Sequence, residues 1–157
     1  MTVAEKLVEL LKAQGLTCAT AESCTGGGVG SAITAVPGSS AVFAGGVISY
    51  ANEVKRDVLG VSADTLQNVG AVSSETAAQM AEGARKLLKV DLAVSLTGIA
   101  GPDGGSEEKP VGLVWFGLAT KDGVRTVKAI FRGDRAHVRA QAVTHALGML
   151  TVASSTP

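Results

Sequence analysis

Val3, Leu7, Leu10 and Leu11 recur at the spacing of one helix face, with Glu5, Lys6, Glu9 and Lys12 on the other, and Gly15 is placed to end the helix. The pattern then shortens. Thr17 to Ala21 reads as a strand, and a glycine-rich turn leads into a helix of small residues over Val29 to Ala35. Pro37-Gly38-Ser39-Ser40 is a turn before a second strand, Val42 to Tyr50, in which Gly45-Gly46 predicts a bulge or a close backbone approach. Asn52 is placed to cap a helix over Glu53 to Leu59, and Ser62 to cap one over Ala63 to Asn68. Ser73, with Thr76 three residues on, opens a long helix whose buried stripe is Ala77, Met80, Ala81, Ala84, Leu87 and Leu88.

Asp91 to Leu96 is a near-continuous apolar run, the pattern of a strand covered on both faces. Val111 to Ala119 and Val124 to Phe131 read as a hairpin around Lys121-Asp122-Gly123. Asp134 is placed to cap a last helix with Val138, Ala142, Ala146, Met149 and Leu150 on its core side, leaving a frayed tail from about residue 153 to 157. With no repeat or linker, residues 1 to 157 are expected to form one α/β domain, a three-layer α/β/α sandwich with a mixed sheet.

Composition narrows the function. Lys plus Arg and Asp plus Glu both number 14, so no basic field recruits nucleic acid. Aromatic residues make up 3%, too few for a stacking platform on single strands. No apolar run approaches the roughly 20 residues of a membrane span. Two cysteines, Cys18 and Cys24, fit a reducing cytoplasm, and Cys18 reads as a buried strand residue. His137 and His145 lie eight apart on one helix, too far to share a metal, and no cofactor motif is complete.

Four segments could carry chemistry. Ala21-Glu22-Ser23-Cys24-Thr25-Gly26-Gly27-Gly28 places three reactive side chains beside backbone that can approach a ligand. Either Ser23, Cys24 or Thr25 supplies a nucleophile or oxyanion donor, or Ser23 or Thr25 caps the helix that follows; the two readings are compatible, because a capped helix start is also an anion site. Thr97-Gly98-Ile99-Ala100-Gly101 begins a second glycine loop after a second apolar strand, so the two loops look like the mouth of one small-molecule site. Ser40, Tyr50 and Lys55 bracket the second strand. A lysine in a helical first turn and partly buried is driven towards its neutral form and can take a serine proton, with a tyrosine as relay. From spacing alone the plainer reading is stronger: a turn serine and a solvated lysine. Arg135 and Arg139, four apart at the start of the last helix, could hold a phosphate or simply be solvated.

Taken in order, Thr20-Ala21-Glu22-Ser23-Cys24-Thr25-Gly26-Gly27, Gly38-Ser39-Ser40, Tyr50-Ala51-Asn52-Glu53 with Lys55, Gly70-Ala71-Val72-Ser73, and Thr97 to Gly105 through Lys109-Pro110-Val111-Gly112 resemble the C-terminal domain of the CinA competence/damage-inducible family, in the stand-alone form of the nicotinamide-nucleotide amidohydrolases. The resemblance covers about residues 3 to 150. It implies hydrolysis of the carboxamide of nicotinamide mononucleotide (NMN) to nicotinic acid mononucleotide and ammonia, by metal-free serine–lysine chemistry without a cofactor, in pyridine-nucleotide recycling. Carried over by residue, it points to Ser40 as nucleophile, Lys55 as base and Tyr50 as assistant. Ser23 and Thr97, in the glycine motifs with Thr25, Gly26, Gly27, Gly98 and Gly101, become ligand or oxyanion contacts, and either Arg135 or Arg139 holds the phosphate. Spacing does not separate Ser40 from Ser23, and the preference for Ser40 comes from the resemblance. The pyrophosphatase-like domain that precedes this one in many relatives is not in the sequence, and its activity is not carried over.

The competing expectation is a non-catalytic module that binds a nucleotide or a protein partner in competence or the DNA-damage response. An amidase of other specificity is a third. A homo-oligomer is compatible with all three.

Overall fold

The computed structural model describes residues 1–155; Thr156 and Pro157 lie outside the described residues. Its elements are α1 (Val3–Gln14), β1 (Cys18–Glu22), α2 (Gly28–Thr34), β2 (Phe43–Ile48), α3 (Asn52–Asp57), α4 (Ala63–Asn68), α5 (Ser74–Leu88), β3 (Leu92–Gly98), β4 (Leu113–Thr120), β5 (Gly123–Ile130) and α6 (Arg135–Ser154). A single 3₁₀ turn, Ser39–Ala41, precedes β2.

The five strands form one sheet in the order β2-β1-β3-β4-β5. β2, β1 and β3 are parallel, and β4 and β5 continue the sheet antiparallel. α1, α2 and α6 close over one face around Leu7, Leu11, Ile33, Phe116 and Leu150. α5 covers the other with Met80 and Ala84, joined by Leu59 and Val61. This is the expected α/β/α sandwich with a mixed sheet. β1 and β3 are buried at nearly every position because both faces are covered, whereas edge strand β2 alternates half-buried and exposed.

The caps largely follow the local rules. Ser62 accepts from Thr65 N, Ser73 from Thr76 N and Asp134 from His137 N. Gly15, at φ 66°, ends α1 in the left-handed conformation that glycine adopts without a Cβ penalty. Gly45-Gly46 behaves as expected on both counts. The β1–β2 register slips immediately before the pair, where Ala44 is passed over, and a Cβ on Gly46 would collide with the Thr20 side chain.

Four expectations are corrected. Ala51, not Asn52, is the N-cap of α3, so Asn52 sits inside the first turn with its side chain uncommitted. Val3 and Leu87, in the first turn of α1 and the last turn of α5, are exposed, and Val8 is buried in α1 instead. The hairpin turns on Lys121-Asp122, with Thr120 paired to Gly123. The chain through Ser154 is not a frayed tail: Ser154 is helical and buried, and its carbonyl accepts from the Gln14 side chain. The rest of the expected tail, Thr156 and Pro157, lies outside the described residues.

Candidate active site

Parallel neighbours β1 and β3 leave the sheet at the same edge, and the chain goes on from β1 to one side and comes back to β3 on the other. A crevice at such a switch point is where open α/β sheets bind ligands. Here a cavity of about 200 Å³ opens there. Ser23 and Cys24 reach it from the end of β1, Thr97, Gly98 and Ala100 from the end of β3, and Tyr50, Asn52 and Lys55 from beyond β2. Ala71 and Val72 form a wall before α5, and Arg135 closes the mouth. The two glycine loops therefore meet as expected.

Lys55 is the centre of this site. It is 1% exposed, and its Nζ donates to the carbonyls of Ser49 at 2.7 Å and Tyr50 at 3.2 Å. Its third neighbour is Ser23 Oγ, 3.1 Å away. The carbonyls can only accept, so they take two N–H bonds; the third position towards Ser23 Oγ is an N–H when the amine is protonated and the lone pair, able to take the serine proton, when it is neutral. Burial holds the Lys55 ammonium below its ordinary 10.5, and no carboxylate forms an ion pair with it among the described residues. The cause is burial and not the helix dipole: Lys55 lies in the last turn of short α3, where the dipole favours a cation.

Ser23 is held by its turn. Its N–H donates to Leu96 O of β3, and its carbonyl accepts from Gly26 N. Gly26 and Gly27, at φ 59° and 102°, bend the chain into α2 through a conformation that side chains resist. No side chain of Ser23 or Thr25 caps α2. The carboxylate of Glu22, 2% exposed, reaches round the turn instead and accepts from Val29 N at 2.9 Å, Gly30 N at 3.0 Å and Thr25 Oγ1 at 2.6 Å. This fills the anion position of the helix start, so the expectation of a ligand anion there does not hold. Thr25, Gly26 and Gly27 shape the turn and lie outside the cavity wall.

The sequence carried one clue to Glu22. A charged residue ending an apolar strand needs partners once buried, and the glycine turn after it has N–H groups to give.

Cys24 lines the cavity, but burial pushes its thiol up to about 11, and Cys18 up to about 12. Both stay protonated near neutral pH, which removes Cys24 from the role of nucleophile. Ser40 is exposed in the 3₁₀ turn before β2, while Lys55 lies beyond the strand's other end. A six-residue strand spans roughly 20 Å, so the structure does not bring Ser40 to Lys55.

The remaining expected residues separate cleanly. Tyr50 is 64% exposed at the rim, its hydroxyl 3.4 Å from Arg135 Nη2. Arg135 also donates to the Gly101 carbonyl at 2.9 Å, so Gly101 serves through its backbone. Thr97 Oγ1 donates to Ala71 O at 2.9 Å, and a Cβ on Gly98 would meet the β4 backbone. Arg139 points elsewhere, to the carbonyls of Cys24 at 3.1 Å and Thr25 at 3.2 Å. His145 stacks on Phe116 at 4.2 Å between ring centroids. Among the described residues no group of three His, Cys, Asp or Glu side chains is gathered as metal ligands would be, and no helix is long and apolar enough to cross a membrane.

The fold is that of a single-domain α/β protein with a serine–lysine contact buried at the carboxyl edge of its mixed sheet, and comparison with known proteins defines the family. The model of the CinA C-terminal domain matches residues 1–153, and this chain belongs to that family. It is 52% identical over 151 residues to the nicotinamide-nucleotide amidohydrolase PncC of Escherichia coli strain K12, covering 96% of this chain and 92% of that one. A protein of Halothermothrix orenii named as competence-damage inducible is 58% identical over 132 residues, 83% of this chain and 32% of its own length. The chain spans about a third of the length of several such relatives, 32% and 35% in two of them. The crystal structure of the competence/damage inducible protein CihA from Agrobacterium tumefaciens superposes with a TM-score of 0.94 at 44% identity, covering 98% of this chain and 94% of that one.

Proposed function

We propose that this protein hydrolyses the carboxamide of nicotinamide mononucleotide to nicotinic acid mononucleotide and ammonia, with Ser23 as nucleophile and Lys55 as general base. The observation that carries the reading is the buried Lys55 Nζ, 3.1 Å from Ser23 Oγ and held by two carbonyls. Burying a lysine without an ion pair is costly, and a site that only binds ligand gains nothing from the lowered basicity. The 52% identity to the amidohydrolase PncC supplies the substrate class.

In this mechanism Ser23 Oγ attacks the amide carbon as Lys55 takes its proton. Lys55 then gives that proton to the departing nitrogen, which leaves as ammonia. Water attacks the resulting ester, its proton passing through Lys55 to Ser23 Oγ, and the acid is released. Arg135 at the mouth receives the substrate phosphate, with Tyr50 orienting its guanidinium. Thr97 and Gly98 wall the ring pocket. The chemistry proposed needs no metal and no cofactor.

The test is ammonia release from nicotinamide mononucleotide by chelator-treated protein, beside Ser23→Ala and Ser40→Ala. Release that survives chelation and Ser40→Ala but not Ser23→Ala is expected. Release abolished by the chelator and restored by a divalent ion would overturn the metal-free step, and loss in Ser40→Ala alone would overturn the choice of nucleophile.

A further inference from the structure

Arg139 has no part in that scheme, yet it holds the backbone of the nucleophile turn. A peptide unit is planar and trans, so fixing its carbonyl fixes its N–H in the opposite direction. In the Ser23–Cys24 unit the carbonyl is fixed locally, by Gly26 N. In the next unit the Cys24 carbonyl accepts only from Arg139 Nε among the described residues, at 3.1 Å. The second arm of the guanidinium, Nη2, holds the Thr25 carbonyl at 3.2 Å. The N–H groups of these two units, on Cys24 and Thr25, donate to no other residue among those described, although both residues are buried. The Cys24 N–H meets only its own thiol, a weak acceptor; buried N–H groups without a strong acceptor are rare, and this one directly follows the attacking serine in a residue that lines the cavity.

Resting on the amidohydrolase reading, we propose that Arg139 is a positioning residue. By anchoring the Cys24 and Thr25 carbonyls it holds the chain on the far side of Cys24, and so keeps the Cys24 N–H, at the cavity wall, in place as an oxyanion donor of the hydrolysis. This replaces the phosphate role its position in the sequence suggested. Arg135 lines the cavity, and Arg139 does not.

The experiment compares wild type with Arg139→Ala and Arg139→Lys, each checked for a wild-type melting transition. Turnover of nicotinamide mononucleotide is measured with inhibition by nicotinamide and by pyridine-3-boronic acid. The boronic acid adds Ser23 Oγ to boron as Lys55 takes the proton, giving a tetrahedral anion that needs the donor; nicotinamide stays planar. In Arg139→Ala, kcat is expected to fall about 10²-fold, the scale of a lost oxyanion donor. KM should move by less than about threefold, because substrate binding precedes the developing charge. The boronic acid should weaken in step with kcat and nicotinamide should not. Arg139→Lys, able to hold one carbonyl, should fall between, and millimolar guanidinium should restore part of the Arg139→Ala rate. A raised KM at unchanged kcat would make Arg139 a substrate ligand and overturn the proposal, as would equal weakening of both inhibitors or no change in either variant. If Arg139→Ala melts early, Arg139→Lys and guanidinium rescue decide. Wild type that releases no ammonia sinks the amidohydrolase reading and this one together; active wild type with an indifferent Arg139 sinks this one alone.

Discussion

The two ends of β2 carry the same kinds of residue and very different surroundings. Before the strand, Ser39 and Ser40 sit in a 3₁₀ turn, where the Ser39 N–H and carbonyl close local turns to Val36 and Val42 and Ser40 faces solvent. Beyond the strand, the carbonyls of Ser49 and Tyr50 converge on a lysine that is almost wholly buried. A hydroxyl becomes reactive when a base without its proton is aimed at it in a place where water does not solvate the charge. The carboxyl end of β2 has the geometry for it, because β1 and β3 open there and bring Ser23 Oγ to 3.1 Å from the buried lysine. The amino end has a serine and, against Gly38, the amine of Lys12, which is exposed and so keeps its solvation. Residue type and order along the chain are nearly equivalent at the two ends, and the sheet distinguishes them.

The sharpest way to break this contrast is to exchange the serines one at a time. Ser23→Ala should lower kcat by at least about 10³-fold, while Ser40→Ala should leave kcat within about twofold and stability within about 0.5 kcal/mol, read from ammonia release and thermal melts. The reverse ranking would move the chemistry to the other end of the strand.

Lys55→Met should cost about 10² to 10⁴ in kcat. The pH dependence of the wild type sharpens the point. Burial lowers the folded-state value below 10.5, so between the lowered value and 10.5 the unfolded chain binds more protons than the folded one. Stability therefore rises with pH through that window, and below it the burial penalty is felt in full. The melting temperature of wild type should gain on that of Lys55→Met as pH rises towards 10.5, and kcat/KM should climb on its acid limb as the amine loses its proton. A flat difference between the two melting curves would show that Lys55 titrates normally.

The two arginines of α6 offer a smaller contrast. Arg135→Ala should raise KM by about 10- to 100-fold, the scale of a charge-assisted pair with phosphate, and should change nicotinamide inhibition little. Equal losses for the nucleotide and for nicotinamide would remove Arg135 from the phosphate.

The smallest effect concerns the turn itself. Glu22→Ala strips acceptors from Val29 N, Gly30 N and Thr25 Oγ1, and should destabilise the fold by about 1–3 kcal/mol. For a chain of this size that corresponds to a melting shift of a few degrees per kcal/mol. Glu22→Gln, which keeps an acceptor, should lose less.

The sequence by itself determined the elements and their class. Helix faces, buried strands, three of the caps and the glycine bulge were legible in it, because each depends on residues within a few positions of one another. It also named most members of the site, since Ser23, Tyr50, Lys55, Thr97 and Gly98 all sit at the ends of strands it identified. What it left open was who meets whom. Ser23 and Lys55 are 32 residues apart and are joined only because β1 and β2 are parallel neighbours. Ser40 is nearer to Lys55 in sequence and is separated from it by the full length of β2. Arg135 and Arg139 share a helix face in the sequence, yet one lines the cavity and the other holds the Cys24 and Thr25 carbonyls of the turn after β1. Glu22 shows in the sequence only as a charge ending an apolar strand before a glycine turn, and its capping of α2 is seen only once the turn is folded. Local order follows from short-range sterics and hydrogen bonds, whereas proximity across the sheet, and the burial that lowers the basicity of Lys55, exist only once strands and helices have packed.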